Sequence, residues 1–381
     1  MQPVSVAGVF PYLIHLLADS KCVEVKIVSK KFLLLRIWSM EEKRITIYDI
    51  AAEVGVSPSL VSRVVSGKGS VSDKTRKKIQ DVIDKYDFRP NAMARGLQKS
   101  RTRMIGFMIP HIGNEYFSNV YYEFEKHASE NGFMTILYNG KNDPGTELKI
   151  LQVFDEMRVE AAVIMGGSAD AVAISEEYAN AIGSLNRQVP CVICSEQAEK
   201  FGCVGVHTDT EKKAKLVVEH LHKKGYRTAG ILGGAANGDW CRYPTIKMYE
   251  FFLRYAKEYN IEVRPEWIHG NSYNEWDGES AMKELLAKKE LPQAVCCIND
   301  HVACGAMVAA QDMGLRIPED MAVIGSDNVR IASMTRPSLT TVAVDFERMG
   351  QLIFEKIMER ENRGTPHLYL IDPMLIERDS T

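Results

Sequence analysis

From residue 104 onward the chain alternates short apolar runs with helical stretches, and that alternation constrains the fold more than any other feature. "MIGFMIP" (104–110), "FMTILY" (133–138), "AAVIM" (161–165), "CVIC" (191–194), "VGVH" (204–207), "TAGILGG" (228–234), "AVCCI" (294–298) and "MAVIGS" (321–326) read as buried strands. Helical stretches such as "VYYEFEKHASEN", ending at Gly132, and "EKKAKLVVEHLHKKG" lie between most of them. Strands buried on both faces read as unbroken apolar runs, so the pattern predicts parallel sheets with helices on either side. About 280 residues of this kind suit two lobes better than one.

Charge separates this body from what precedes it. The 381 residues carry a net charge of −3. Residues 40–103 hold fourteen Lys/Arg against eight Asp/Glu, whereas residues after 103 are net acidic by twelve. A basic module on an acidic body points to a polyanion-binding head. The eight cysteines have no disulfide-framework spacing. Cys191 and Cys194 have the CxxC form, but residues three apart on a strand face opposite sides and make a poor metal or redox pair. They read as small core hydrophobes of a reducing cytoplasm. The stretch "VSVAGVFPYLIHLLA" near the amino terminus is too short to span a bilayer and lacks a basic leader. Met40 directly precedes the first patterned segment. The expectation is that translation begins there, with 1–39 an upstream extension lacking a stable fold; the intact mass of native protein checks this.

The basic head shows dense local signals. Thr46 and Asp49 in "TIYDIAAEVGV" form a capping-box arrangement, Ile47, Ile50, Ala51 and Val54 recur at helical spacing, and Gly55 stops the helix. "SPSLVSRVVSGKG" offers Ser57 as N-cap, Pro58 at the first helical position and Gly67 as the stop. The short turn between them makes a helix-turn-helix. A third helix, "SDKTRKKIQDVIDKY", is capped by Ser72 and presents Ile79, Val82, Ile83 and Tyr86 on one face. On the second helix Pro58, Ser59, Ser62 and Arg63 remain free to face outward, where such a helix meets base edges. The guanidinium fork of Arg63 suits guanine O6 and N7. Lys68, Lys74, Arg76, Lys77 and Lys78 suit phosphates, which position without specifying. Beyond them, "RPNAMARGL" reads as a helix of under two turns, too short to hold itself together in water and weakened further by Gly96. It is expected to order only against a duplex, with Leu97 as an apolar wedge in the minor groove.

Residues 45–97 resemble the DNA-binding head and hinge of the lactose repressor (LacI/GalR) family of bacterial transcription regulators. By that resemblance Pro58, Ser59 and Arg63 occupy base-reading positions, and Leu97 from each of two paired hinge helices enters the centre of the operator. The expected DNA contacts are Thr46, Tyr48, Ser57, Pro58, Ser59, Ser62, Arg63, Asn91, Ala94, Arg95 and Leu97. The resemblance continues through "NEYFSNV", "TDTEKKAKLVVEHLHKKGYRTAGILGG", "CINDHVACGAMVAAQDMGLRIPEDMAVIGSDN" and "RPSLTTVAVDFERMGQ", covering roughly 45–378. It implies a two-lobed, periplasmic-binding-protein-like effector domain with Tyr116, Phe117, Asp300 and Asp327 in its cleft. The family's usual effector-binding arginine aligns with Lys247, a point charge in place of a planar fork, with Arg242 nearby as a substitute. Independently, ligands of open parallel sheets bind beyond the C-terminal strand ends. His111, Asn139, Gly166 to Ser168, Glu196, Gly233, Gly234, Asn299, Asp300, Asp327 and Asn328 follow strands. Aspartates there accept from adjacent hydroxyls, as a sugar or ribose presents them. Trp240 and Tyr273 are further candidates for covering an apolar ring face.

No GxSxG, GxxxxGK[ST] or HExxH motif occurs, and His220 and His222, two apart on a helix, cannot share a metal. The chain therefore reads as a non-enzyme without cofactor or metal. Its fold class is an all-α helix-turn-helix head plus an α/β two-lobed body with parallel sheets. The expected domains are an unassigned 1–39, a head at 40–89, a hinge and linker at 90–103 and an effector and dimerisation domain at 104–381. Within the last, one lobe takes 104–208 and 345–371, the other 209–342 and 372–381. The expected function is a cytoplasmic, sequence-specific repressor controlled by a sugar-like effector. Its expected partners are a pseudo-palindromic double-stranded operator, a sugar or nucleoside, and a second copy of itself, or three for a tetramer, with no membrane. A solute-binding protein of the same fold is the alternative, and it leaves residues 40–103 without a purpose. An effector-independent architectural DNA binder is a third reading.

Overall fold

The computed structural model describes residues 45–67, 69–88, 102–234, 241–270, 272–359 and 366–381. The 1–39 extension, Lys68, the hinge residues Asn91, Ala94, Arg95 and Leu97, and Trp240 lie outside the described residues. The chain forms two compact units, Met1–Arg95 and Gly96–Thr381.

In the first unit, α1 (Ile47–Val54), α2 (Pro58–Ser66) and α3 (Asp73–Lys85) bury Ile50, Ala51, Val61, Val64 and Ile79 in one small core. The Thr46 hydroxyl accepts from the Asp49 N–H at 3.3 Å, and the Asp49 carboxylate accepts from the Thr46 N–H at 2.9 Å, which completes the capping box. Gly55 and Gly67 close α1 and α2 at φ 74° and 67°, a left-handed conformation that glycine adopts at little steric cost. Two expectations are corrected. Ser57 stands at the N-cap of α2, but its side chain makes no capping bond; the hydroxyl lies 2.9 Å from that of Ser59. Tyr86 turns outward at the end of α3 beneath Lys85, and Phe88 packs on the core in its place.

In the second unit, the described residues form two six-stranded sheets. The first has the order β11-β5-β4-β3-β1-β2, built from β1 (Met104–Ile109), β2 (Met134–Asn139), β3 (Ala161–Met165), β4 (Cys191–Cys194), β5 (Val204–Thr208) and β11 (Leu368–Ile371). The second has the order β12-β10-β9-β8-β6-β7, built from β6 (Ala229–Leu232), β7 (Ile268–His269), β8 (Ala294–Cys297), β9 (Ala322–Asp327), β10 (Thr340–Ala343) and β12 (Met374–Ile376). All pairings are parallel except β10 with β12.

Each sheet has an apolar layer on both faces, as its strand composition requires. The helices α4 (Glu115–Glu130) and α11 (Phe346–Met358) cover one face of the first sheet, and α5 (Pro144–Glu156) and α6 (Glu176–Gln188) the other. On the second sheet α7 (Thr210–Lys223) and α8 (Tyr243–Glu258) lie opposite α9 (Glu275–Leu286) and α10 (Asp300–Asp312). The cysteine expectation holds in detail: Cys191 and Cys194 belong to the layers on opposite faces of the first sheet, and Cys296 and Cys297 to opposite faces of the second. The chain passes from the first sheet into α7 after β5, returns through α11 after β10, and crosses again from β11 to β12. Helix α4 starts five residues earlier than its apolar pattern suggests, because the Asn114 side chain accepts from the Tyr116 N–H and starts the first turn there.

Candidate functional site

Two surfaces gather the residues singled out by the sequence. On the head, burial of Val61 and Val64 fixes the roll of α2, so Ser57, Pro58, Ser59 and Arg63 are exposed and Ser62 is half-buried. Thr46 is also exposed, as is Tyr48 at 73%. The exposed face of α2 therefore carries two serine hydroxyls, an arginine and no carboxylate, which suits hydrogen bonding to base edges. Gly69, at φ 90°, leaves room for the Arg63 stem; a Cβ there would lie 3.0 Å from Arg63 Cδ. Lys74, Lys77 and Lys78 stand exposed on α3, where phosphate contacts need flexible point charges.

In the second unit, a cavity of about 700 Å³ opens among the C-terminal ends of strands from both sheets, the place where open α/β sheets bind ligands. The first sheet contributes Tyr116 and Phe117 from the start of α4, Gly166 and Asp170 after β3, and His207 and Thr208 at the end of β5. From the second come Lys213 on α7, Arg242 and Thr245 at the start of α8, Tyr273 and Trp276 around the start of α9, His301 on α10, and Asp327.

Asp327 stands at φ 101°, a strained conformation for a residue with a side chain, and accepts from Lys213 Nζ at 3.0 Å. Asp300 is fully buried and does not line the cavity. One of its oxygens accepts from the Val329 N–H at 2.8 Å and the other from the Thr341 hydroxyl at 2.6 Å. Gly325 admits it, since a Cβ there would overlap the carboxylate. Asp300 thus anchors the segment that carries Asp327. Burial, reinforced by the negative charge of Asp327, pushes its pKa up to about 7 against the two hydrogen bonds and Lys213.

The folded protein therefore holds the Asp300 proton more tightly than the unfolded chain, whose aspartates titrate near pH 4. The stabilising contribution is complete below about pH 4 and is lost as pH rises towards 7. Asp300→Asn is expected to remove that slope. Between pH 5 and 8 its stability, measured by denaturant unfolding, should gain on the native protein by on the order of 2 kcal/mol. A constant difference across that range would contradict the assignment.

Tyr116 packs edge-on to Phe117 at 5.3 Å, and burial followed by the charge of Asp327 raises its hydroxyl pKa well above normal. The Tyr273 hydroxyl lies 2.7 Å from that of Thr245, and burial pushes its pKa up to about 12. Lys247 does not join them. Its amine donates to Glu250 at 2.7 Å, because Pro244, Thr245 and Met248 are the positions of α8 that face the cavity. Arg242 does line it.

Asp170, His207, Thr208, Lys213, His301 and Trp276 were not read from the sequence. His207 is hidden within an apolar strand run, and its Nδ1 donates to the Thr208 carbonyl at 2.8 Å. Burial opposes its charged form, but Glu196, 3.5 Å away, and Asp170 outweigh that and raise its pKa. Elsewhere, His220 lies 2.8 Å from the Thr381 hydroxyl and His222 meets the Tyr259 carbonyl. Among the described residues no helix is long and apolar enough to cross a membrane.

Residues 46–91 match the model for bacterial regulatory proteins of the lacI family, and residues 218–381 the periplasmic binding protein-like domain. The chain is 32% identical over 329 residues to catabolite control protein A of Staphylococcus xylosus, spanning 86% of this chain and 96% of that one. It is 30% identical over 340 residues to the HTH-type transcriptional repressor PurR of Pectobacterium carotovorum, spanning 88% and 96%. A crystal structure of the lac repressor dimer bound to operator and the anti-inducer ONPF superimposes with a TM-score of 0.74 at 22% identity, covering 89% of this chain and 99% of that one, a likeness of fold. The chain belongs to the lacI family of bacterial regulatory proteins, as a DNA-binding transcriptional regulator whose helix-turn-helix head is joined to a periplasmic-binding-protein-like effector domain.

Proposed function

We propose that the protein is a cytoplasmic homodimeric repressor that binds a pseudo-palindromic operator and changes its operator affinity when a sugar or nucleoside enters the cleft. One observation carries the reading: a single chain holds both an exposed helix face of hydroxyls and an arginine, suited to base edges, and a ligand-sized cavity lined from two sheets. A solute-binding protein needs only the second. Two heads related by a two-fold axis read two half-sites. A ligand held by both lobes fixes the angle between them, and a coupling of about 1–3 kcal/mol to the hinge segments shifts operator affinity roughly 5- to 150-fold. The HTH-type transcriptional repressor among the relatives, and the operator and ONPF bound in the lac repressor structure of like fold, support the scheme by analogy.

The test selects duplexes from a random pool, then measures affinity with and without a panel of sugars and nucleosides. A selected pseudo-palindrome whose affinity responds to one panel member is the expected result. An unresponsive protein would instead be an architectural binder. Arg63→Ala is expected to weaken the selected duplex by about 1–3 kcal/mol and to relax base preference at one position of each half-site. Equal weakening on every sequence would reduce Arg63 to a phosphate contact.

A further inference from the structure

Two turns of the first lobe's cavity wall rest on one buried side chain. Lys141 and Asn142 follow β2, and Gly166, Gly167 and Asp170 follow β3; all five line the cavity. Lys141, Asn142, Gly166 and Gly167 have left-handed backbones, at φ 60°, 55°, 66° and 61°. A lysine adopts that conformation only where its surroundings impose it.

Glu147, the fourth residue of α5, lies beneath both turns. It is 1% exposed and does not line the cavity. A Cβ on Gly167 would overlap its carboxyl, and one on Gly140, directly before Lys141, would lie 2.8 Å from its Cγ. Glycine at both positions lets the turns close on the carboxyl. Its Oε2 accepts from the Ser168 N–H at 3.0 Å. Oε1 closes no hydrogen bond. Nor does the buried hydroxyl of Tyr178, which reaches the same carboxyl from α6 and acts on its charge. One proton reconciles the two groups: a carboxylic acid donates to the phenol, and a carboxylate accepts from it.

The surroundings decide which form prevails. Burial raises the Glu147 pKa and outweighs Ser168, Tyr178 and Arg242, which lower it. Burial, then the charges of Glu147 and Asp170, hold the Tyr178 pKa well above normal, so the phenol keeps its proton. Lys141, Asp143 and Lys149, the charged residues nearest along the chain, are exposed to water. The closed wall therefore holds the Glu147 proton more tightly than an opened one, in which a hydrated carboxyl titrates at about pH 4. Closure is fully favoured below that pH and weakens as pH rises.

We propose that Glu147 and Tyr178 form a buried proton-carrying pair that positions both turns, so that the first lobe's side of the cleft loosens as pH rises. Glu147 is a positioning residue, acting through Ser168 and the two glycines rather than by touching a ligand.

Hydrogen exchange on the full chain without ligand tests this, read on peptides covering 140–147 and 166–170 from pH 5 to 8 and corrected for the intrinsic pH dependence of exchange. Protection of both turns should fall at least roughly 3-fold across that range. Glu147→Gln, whose amide accepts from Ser168 and donates to Tyr178, should keep the protection and lose the pH dependence. Tyr178→Phe removes a group that favours the ionised carboxyl, so the fall should grow larger. Glu147→Leu should lose protection at every pH, at least roughly 10-fold, because it leaves the Ser168 N–H unpaired; should it fail to fold, the other two variants decide. Protection in the native turns that is flat in pH, or a Glu147→Gln variant with the native slope, overturns the proposal. Peptides covering β9, next to Asp300, should keep their own pH dependence in Glu147→Gln, and a slope lost there as well would mark global unfolding and overturn it too. On the effector reading above, a cleft ligand should also lose affinity as pH rises in the native protein and not in Glu147→Gln. The ligand-free exchange decides the proposal whether or not that reading stands.

Discussion

Gly305→Ala is expected to lower the melting temperature by about 10 °C and to abolish any response to a cleft ligand. Helices α9 and α10 cross with backbone against backbone: a Cβ on Gly305 would overlap the Glu275 carbonyl, and one on Gly278 would overlap the Val302 carbonyl. Neither obstacle is a side chain that could swing away, so a methyl group forces the helices apart. Around the crossing, Ala281, Met282 and Leu285 pack on Ala303, Ala306 and Met307 in one closed layer, and separation opens it all. Overpacking of this kind costs about 3 kcal/mol, and each kcal/mol moves the melting point of a domain this large by about 2–4 °C. The same crossing sets the second lobe's wall of the cavity, because Glu275 and Trp276 start α9 and Asn299 and His301 flank the start of α10. Differential scanning calorimetry checks the first effect and ligand titration the second. Gly183→Ala is the control. It lies within α6, where a Cβ meets nothing closer than 3.8 Å, and it should stabilise by up to about 1 kcal/mol as helix propensity alone dictates. A Gly305 variant that melts with the native protein would show that the helices have room.

Gly278 and Gly305 illustrate why some of the fold was legible in the sequence and some was not. Central strands such as "AAVIM" and "CVIC" announce themselves because both faces are buried, and the opposed placement of Cys191 and Cys194 follows from strand periodicity alone. Glycines at a helix crossing carry no local signal, since their role depends on what packs against them. Strands β12 and β7 have three and two residues, too few to show a period, and β10 is buried but reads TTVA, whose two threonines hide the apolar run; pairing within the sheet makes them strands. The head was more legible than the body because caps are local chemistry: Thr46, Asp49, Gly55 and Gly67 act within one turn of where they stand. Ser57 is the exception, with its hydroxyl against Ser59 rather than the helix end.

The cavity divides along the same line. Asp327 was visible because strand ends line ligand sites, yet the same rule put Asp300 in the cavity, whereas depth and two internal hydrogen bonds make it a support. Lys247 was chosen by alignment, and the roll of α8 carries it to Glu250 while Arg242 reaches the wall. Thr208 and His301 look unremarkable as letters. What distinguishes them is an unpaired buried atom, a property of three-dimensional surroundings that a sequence pattern does not encode.

Leu97→Ala is the remaining substitution with a large expected effect: loss of specific operator affinity by at least roughly 1000-fold, with salt-sensitive nonspecific binding retained. Helix nucleation sets this expectation. The sequence leads one to expect a helix over about 90–97, and eight residues would give it too few internal hydrogen bonds to offset fixing its first turn, with Gly96 adding about 1 kcal/mol against it. On that expectation its order would come from contacts outside itself. Leu97 is the one branched aliphatic side chain from Asn91 to Ser100, beside Met93 as the other large apolar one and with Arg95 and Lys99 in the same stretch. The expectation is that basic residues would bring the segment to the phosphates and the leucine would supply the apolar contact that parts a base step. Alanine keeps helix propensity, and improves it slightly, so loss of affinity in this variant isolates the wedge from the helix. Anisotropy titrations on the selected and a scrambled duplex across a salt series separate the outcomes. With the wedge gone the selected duplex should bind like the scrambled one, with the same salt slope, because the phosphate contacts remain. Circular dichroism of the mixture should then lack the helical gain that is expected of the native chain on operator addition. Undiminished discrimination between the two duplexes would mean that α2 alone carries specificity, and the coupling between cleft and operator would need a route other than the folding of this tether.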